Sequence, residues 1–247
     1  MKELFREPCV REGQICRFIP DEAARPHWSK LLHDHLISQG GLQMERRYAA
    51  HRKVRANDPL WREFYETVSG CRGVIVDLAS GPSGYFAPVI DALEPGDTFI
   101  ITDACRAVLD AHATVNRGKN VLLVDTDLDR PLPFADGCID AFTGYLASNV
   151  EQLRTLLGEV YRCLKPGGKL YLVDLFFESN SPTSLWLAER EKVTATLEAF
   201  LSHCTALGFT WLGGRVLKER CGKIDPQDLL PLEDWERSQE RSLCFQK

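Results

Sequence analysis

No stretch of the 247 residues approaches the ~20 consecutive apolar positions of a membrane-spanning helix, which excludes a transmembrane reading. Met1-Lys2-Glu3-Leu4-Phe5-Arg6-Glu7 lacks the apolar core of a signal peptide, so a cytoplasmic chain is expected. Nine cysteines are present but scattered, and no Cys-x-x-Cys occurs. With Cys9 and Cys16 the closest pair, neither a disulfide framework nor a zinc module fits, and buried or neutral thiols in a reducing compartment are expected. An excess of positive charge is also missing: the net charge of −5 argues against a generic partner of nucleic acid or acidic membrane. Low-complexity tracts are absent and 44% of residues are apolar, enough for a sizeable core and against whole-chain disorder.

The length suits one α/β domain with an appendage. The strongest local signal is Val74-Ile75-Val76-Asp77-Leu78-Ala79-Ser80-Gly81-Pro82-Ser83-Gly84-Tyr85-Phe86. Its apolar run reads as a buried strand of a parallel sheet ending in an acid. The small residues that follow let a ligand approach the backbone, and the segment Tyr85 to Leu93 has helical spacing, with an amino end that favours anions. Asp103 closes the next strand (Thr98 to Asp103) about 20 residues on, where a carboxylate meets ribose hydroxyls in doubly wound folds. A third strand, Asn120 to Val124, leads into Asp125-Thr126-Asp127-Leu128, and a fourth, Cys138 to Thr143, into Gly144-Tyr145-Leu146-Ala147-Ser148-Asn149. Strands alternating with helices from Arg72 onward predict parallel βαβ units.

Several tempting motifs are set aside. Pro8-Cys9 precedes the sheet, too early for the Pro-Cys nucleophile of cytosine-5 methyltransferases. Tyr161-x-x-x-Lys165 mimics the catalytic pair of short-chain dehydrogenases, but it abuts Pro166-Gly167-Gly168 and the upstream glycines are wrong for that family. Ala79-Ser80-Gly81-Pro82-Ser83-Gly84 is not the Gly-x-Gly-x-x-Gly that a nicotinamide-dependent dehydrogenase needs for a pyrophosphate. His27, His33 and His35 lack a partnering carboxylate cluster, so no metal is expected.

The run Asp77 to Ser83 resembles motif I of the class I S-adenosylmethionine-dependent methyltransferases, of the type 11/25-like kind. Asp77 falls on the acid, and Ala79, Gly81 and Ser83 on the glycine positions. Asp127-Leu128, followed by Leu132-Pro133-Phe134, is similar to the segment that cradles adenine. Glu159-Val160-Tyr161-Arg162-Cys163-Leu164-Lys165-Pro166-Gly167-Gly168-Lys169-Leu170 is the most family-specific stretch, and the likeness spans about residues 70 to 247.

The resemblance implies a Rossmann-like, doubly wound, mostly parallel seven-stranded sheet with helices on both faces and an N-terminal helical appendage. It implies a cofactor site of Asp77, Ala79, Ser80, Gly81, Asp103, Ala104, Asp127, Leu128, Gly144 and Tyr145, with the choice between Asp125 and Asp127 made for Asp127. S-adenosylmethionine would be the donor and S-adenosylhomocysteine the product. The loop after the fourth strand would face the transferred methyl, with Tyr145 and Asn149 as catalytic candidates. No Asn-Pro-Pro-Tyr is present, which removes the adenine-N6 DNA methyltransferases.

Residues 1–70 lie outside the resemblance and are expected to form a helical cap on the substrate side of a 71–247 methyltransferase domain. Residues 1–20 look irregular; helices are expected over His27 to Ser38, from about Leu42 to Arg55, and from Pro59 to Val68. A single long helix is expected from Thr183 to Leu207, and further strands at Phe209 to Leu212 and Leu243 to Gln246. The expected acceptor is a small molecule, with monomer and homodimer both open. Two alternatives stand beside it: a non-catalytic binding protein on the same fold, and an RNA or protein methyltransferase using Arg46, Arg47, Arg52, Lys53 and Arg55 as a cationic wall.

Overall fold

The computed structural model describes residues 4–38, 43–145, 150–190, 192–222 and 236–247. The parallel units predicted from Arg72 onward are present: β3 (Val74–Leu78), β4 (Thr98–Asp103), β5 (Val121–Asp125), β6 (Ile139–Tyr145) and β7 (Leu164–Phe177) all run parallel. Their apolar runs are buried because both faces are covered. On one face lie α2 (Met44–Asn57), α3 (Pro59–Ser69), α4 (Ala87–Ile90) and α5 (Arg106–Val115); Tyr48, Trp61, Phe64, Tyr65 and Val68 pack there against Ile75, Phe99, Ala141 and Tyr171. The other face carries α6 (Leu153–Cys163) and α8 (Leu197–Ala206), with Leu156, Val160 and Phe200 against Val76, Ile100, Phe142 and Leu172. α3 begins where the sequence says it must: the Asp58 carboxylate accepts from Leu60 N and Trp61 N, and Pro59 takes the first helical position.

Among the described residues the sheet has nine strands, not seven, in the order β1-β2-β5-β4-β3-β6-β7-β9-β8. Seven of them form the expected doubly wound sheet, closed at one side by β9 (Glu236–Gln246) and β8 (Thr210–Gly222), both antiparallel and much longer than the short runs expected. The extra pair is β1 (Val10–Glu12) and β2 (Ile15–Arg17), in the stretch expected to be irregular. Three-residue strands are too short to show a pattern. They hold because Gly13 turns the chain at φ +62° and Ile15, Cys16 and Arg17 pair in parallel with Leu123, Val124 and Asp125. The hairpin thus covers an edge that β5 would otherwise expose.

The helix expected from 183 to 207 is also divided. α7 (Pro182–Glu189) starts at the Ser181 hydroxyl, and α8 starts afresh where Thr196 Oγ1 accepts from Ala199 N at 3.1 Å. A hydroxyl residue in extended conformation that caps a new helix cannot also continue an old one. α1 (His27–Ser38) agrees with the expected span and rests on α5 through Leu36, Cys105 and Val108.

Candidate active site

Strand order reverses between β3 and β6, which pair from Ile75–Ala141 to Leu78–Gly144. The crevice beyond the carboxyl ends of these strands is where a doubly wound sheet holds its ligand. Into it the fold delivers the ends of β3, β4, β5 and β6, with Asp77, Asp103, Asp125, Gly144 and Tyr145 at or beside them.

The turn after β3 is tightly specified. Ala79 has φ +50° and Gly81 φ +58°, a left-handed conformation that costs a non-glycine residue about 1 kcal/mol or more. Ser80 N donates to Thr102 O at 3.0 Å, and Thr102 Oγ1 donates to Asp77 O at 2.8 Å, so the turn is tied to β4. At Gly84 (φ +69°) any side chain would collide with the ring of Tyr48 on α2.

Asp77 is buried, and its Oδ1 has no hydrogen-bond partner among the described residues. Burial pushes its carboxyl well above the ordinary range, and the Asp103 charge adds to that. Asp103 is buried too, and its oxygens accept from Cys105 N at 2.7 Å and Gly81 N at 2.9 Å. Burial nevertheless lifts its pKa to about 6, the neighbouring amides opposing and Asp125 reinforcing the shift.

Asp125 is fully buried but occupied. Arg25, from the segment between β2 and α1, grips it with Nη1 at 2.7 Å and Nη2 at 2.8 Å, and donates also to Ala104 O at 2.8 Å. Ser29 Oγ on α1 donates to the same Ala104 oxygen at 2.7 Å. Asp127 lies two residues past the strand, where Oδ1 accepts from Asp129 N at 3.1 Å and Oδ2 faces Arg130 Nε at 3.4 Å; Leu128 beside it is buried.

Residues 76–172 match the model of the methyltransferase domain family. Over that stretch the chain is similar to methyltransferase domains. The cofactor of such domains is S-adenosylmethionine. The chain is 34% identical over 133 residues to a ubiquinone/menaquinone biosynthesis C-methyltransferase of Desulfotalea psychrophila, covering 52% of this chain and 53% of that protein. It is 33% identical over 103 residues to a demethylmenaquinone methyltransferase of Thermus thermophilus, covering 40% and 46%. The chain thus spans about half the length of the curated relatives it matches. Among solved structures, geranyl diphosphate C-methyltransferase of Streptomyces coelicolor, in complex with Mg2+, geranyl-S-thiolodiphosphate and S-adenosyl-L-homocysteine, superposes with a TM-score of 0.55 at 15% identity, over 73% of this chain and 74% of that one. At that identity the likeness speaks for the fold.

The residues at these strand ends fit S-adenosylmethionine by their chemistry. A buried carboxylate oxygen left without a donor, as on Asp77, wants a hydroxyl or ammonium to meet it. S-adenosylmethionine carries both.

Tyr145 is the last residue of β6. Its ring stacks on Tyr85 of the turn at 3.8 Å between centroids, and Trp61 of α3 lies 6.2 Å from each. Its hydroxyl donates to Glu240 Oε2 on β9 at 2.9 Å. Glu240 is a buried carboxylate that sequence reasoning missed, as it missed Arg25, Ser29, Tyr48 and His112. Asn149, the other catalytic candidate, lies outside the described residues.

Lys165 Nζ sits 2.8 Å from both Asp140 oxygens, and Tyr161 packs edge-on against Phe209, so the two share no site. His27, His33 and His35 all lie on α1, and no cluster of three or more metal-ligating residues occurs among the described residues. Part of the cationic face of α2 is spent internally: Arg52 pairs with Asp91, and Arg55 donates to Pro88 O at 3.3 Å. A separate cavity of about 410 Å3, lined by Arg72, Asp140, Lys165 and Lys169 among others, lies at the amino ends of the strands, away from the crevice.

Proposed function

We propose that the protein is an S-adenosylmethionine-dependent methyltransferase acting on a small-molecule acceptor. The observation that carries this reading is the pair of buried acids at the strand-order reversal, Asp77 with an oxygen unpartnered among the described residues and Asp103 fixed against the Gly81 amide. In this reading Asp77, with Ala79, Ser80 and Gly81, receives the amino-acid end of the cofactor. Asp103 and Ala104 take the ribose, while Asp127 and Leu128 take the amino group and face of adenine. Asp125, held by Arg25, supports the strand end, which favours Asp127 as the residue that reads adenine.

When bound, the cofactor supplies a methyl group on a sulfonium. The chain's own residues have the tasks of orienting two reactants and keeping water out, worth several kcal/mol when the alignment is close. The stacked Tyr85 and Tyr145, with Trp61 and Gly144, wall the side of the crevice where an acceptor would approach. Tyr145 carries a phenol already bonded to a carboxylate, so a proton from an acceptor hydroxyl could pass through it toward Glu240.

A small acceptor agrees with the relatives, both named for small-molecule methylation, and with a net charge of −5 that opposes nucleic acid. No described helix is long and apolar enough to cross a membrane, and we place the protein in the cytoplasm.

Calorimetric titration with S-adenosylhomocysteine tests the assignment. Asp77→Ala and Asp103→Ala each remove an acceptor for a charged or hydroxyl donor, a loss of about 1.5–3 kcal/mol, or roughly tenfold to a hundredfold in Kd. Unchanged affinity in both variants would overturn the site.

A further inference from the structure

Behind the turn that follows β3 lies a hydrogen-bonded chain that the proposed reaction does not use. Asn116 Nδ2, at the end of α5, donates to the Tyr48 hydroxyl at 2.8 Å. That hydroxyl lies 2.9 Å from His112 Nδ1, and His112 Nε2 lies 3.0 Å from Gly81 O. Tyr48, His112 and Asn116 are all buried, with 2%, 1% and 0% of their surface exposed.

The direction of the chain follows from its end. A carbonyl oxygen only accepts, so His112 Nε2 carries the proton. A neutral imidazole then offers Nδ1 as an acceptor, which requires the Tyr48 hydroxyl to donate to it. The Tyr48 oxygen is left to accept, and the Asn116 amide is the donor beside it. Reversing any one link would set two donors or two acceptors face to face. Burial holds His112 neutral, with its pKa lowered to about 4.

The chain ends on the carbonyl of a residue whose amide is already committed. Gly81 N donates to Asp103, so Gly81 is gripped at its amide by β4 and at its carbonyl by α5. Tyr48 acts on the turn a second time, since its ring lies against Gly84 where no side chain would fit. One residue of α2 therefore bears on both glycines of the turn.

We propose that Tyr48, His112 and Asn116 are positioning residues for the cofactor: they fix the backbone of Gly81 so that its neighbours Ser80 and Asp103 meet the ligand in the bound geometry. This rests on the reading of the crevice as the S-adenosylmethionine site. A bound geometry prepared in advance spares the ligand the cost of ordering the turn. Asn116 and Tyr48 touch no ligand in this account; they act through His112.

The experiment compares Tyr48→Phe, His112→Gln and His112→Leu in the full chain. Each is titrated with S-adenosylhomocysteine, each is melted without ligand, and the histidine ring nitrogens of the wild type are observed by 15N NMR. The wild type should show His112 neutral with the proton on Nε2. His112→Leu should lose tenfold or more in affinity. His112→Gln, whose side-chain amide can still donate to Gly81 O, should recover most of that loss although its ligand-free melting point is no higher than that of the Leu variant. Tyr48→Phe keeps the ring against Gly84 and should fall between them; it also carries the test should the Leu variant fail to fold.

A purely structural role would move melting points and affinities together, with no rescue by Gln, and that result would overturn the proposal. So would a proton found on Nδ1. Wild-type protein that binds no S-adenosylhomocysteine would instead sink the cofactor reading itself, a result visible before any variant is made.

Discussion

At the scale of single residues, the site is governed by buried acids and by the partners that keep them in place. Asp125 shows the balance. It has no exposure, and Arg25 meets it with two charge-assisted bonds at 2.7 and 2.8 Å. Removing one member of such a pair strands the other charge, at a cost of about 3–5 kcal/mol. For a chain of this size each kcal/mol moves the melting point by roughly 2–4 °C. Asp125→Ala should therefore melt about 6–20 °C lower, while Asp136→Ala, whose exposed carboxylate pairs with Arg162 at the surface, should change little. Equal melting points for Asp125→Ala and wild type would contradict the buried clamp.

Proton linkage gives a second residue-scale prediction. Asp103 has its pKa raised to about 6, so the folded chain binds a proton that the unfolded chain releases; its contribution to stability is present at low pH and is lost as pH rises through about 6. Affinity for a hydroxyl-bearing ligand runs the other way, because a protonated Asp103 accepts less well. Titration with S-adenosylhomocysteine should weaken between pH 7.5 and 5.5 in the wild type and stay flat in Asp103→Asn. For His112, lowered to about 4 from an ordinary 6.5, stability is present above 6.5 and is lost as pH falls toward 4. His112→Gln should accordingly lose less of its melting temperature than wild type between pH 7 and 5.

At the scale of elements, legibility tracked range. Asp77 and Asp103 sit at strand ends, and Asp127 lies two residues past one, because a strand, a turn and an acid are written within a few neighbouring residues. Arg25 and Asp125 are 100 positions apart, Tyr145 and Glu240 are 95, and Tyr48 and His112 are 64. Nothing in the local pattern joins them. The hairpin of β1 and β2 was invisible for a different reason: three-residue strands have no period to read, and they exist because β5 offers an unpaired edge. The break between α7 and α8 was legible in principle, since Thr196 stands where a capping residue would, but the apolar residues on either side read as one continuous helix.

Cysteines belong to this scale as well, because packing decides their chemistry. Cys16 and Cys105 have thiols pushed up to about 11, and Cys163 and Cys204 to about 12, in each case chiefly by burial. As the thiolate is the reactive form, these positions should resist a thiol-specific disulfide reagent in the folded protein and react only in denaturant. Rapid labelling of any of them under native conditions would mean that its element opens far more readily than this packing allows.

At the scale of the whole molecule, the order of strands does the functional work. Reversal between β3 and β6 leaves one crevice, and the sequence places Asp77, Gly81, Asp103 and Tyr145 around it. The helices α2 and α3 share the core of the sheet, and they set Tyr48 against Gly84 and Trp61 against Tyr85 in the turn after β3. What the crevice receives as acceptor was not legible, because positioning a methyl donor calls for a recurring set of acids and small residues, whereas an acceptor is read by side chains gathered from distant parts of the chain.

The most direct test of the account is the melting temperature of the full chain with S-adenosylmethionine, S-adenosylhomocysteine or NAD at about a hundredfold excess over Kd. Ligand at that level adds about 2.7 kcal/mol to a protein that binds it only when folded. At roughly 2–4 °C per kcal/mol, the two sulfur ligands should raise the melting point by several degrees, and NAD should leave it unchanged. A rise with NAD alone would contradict the account.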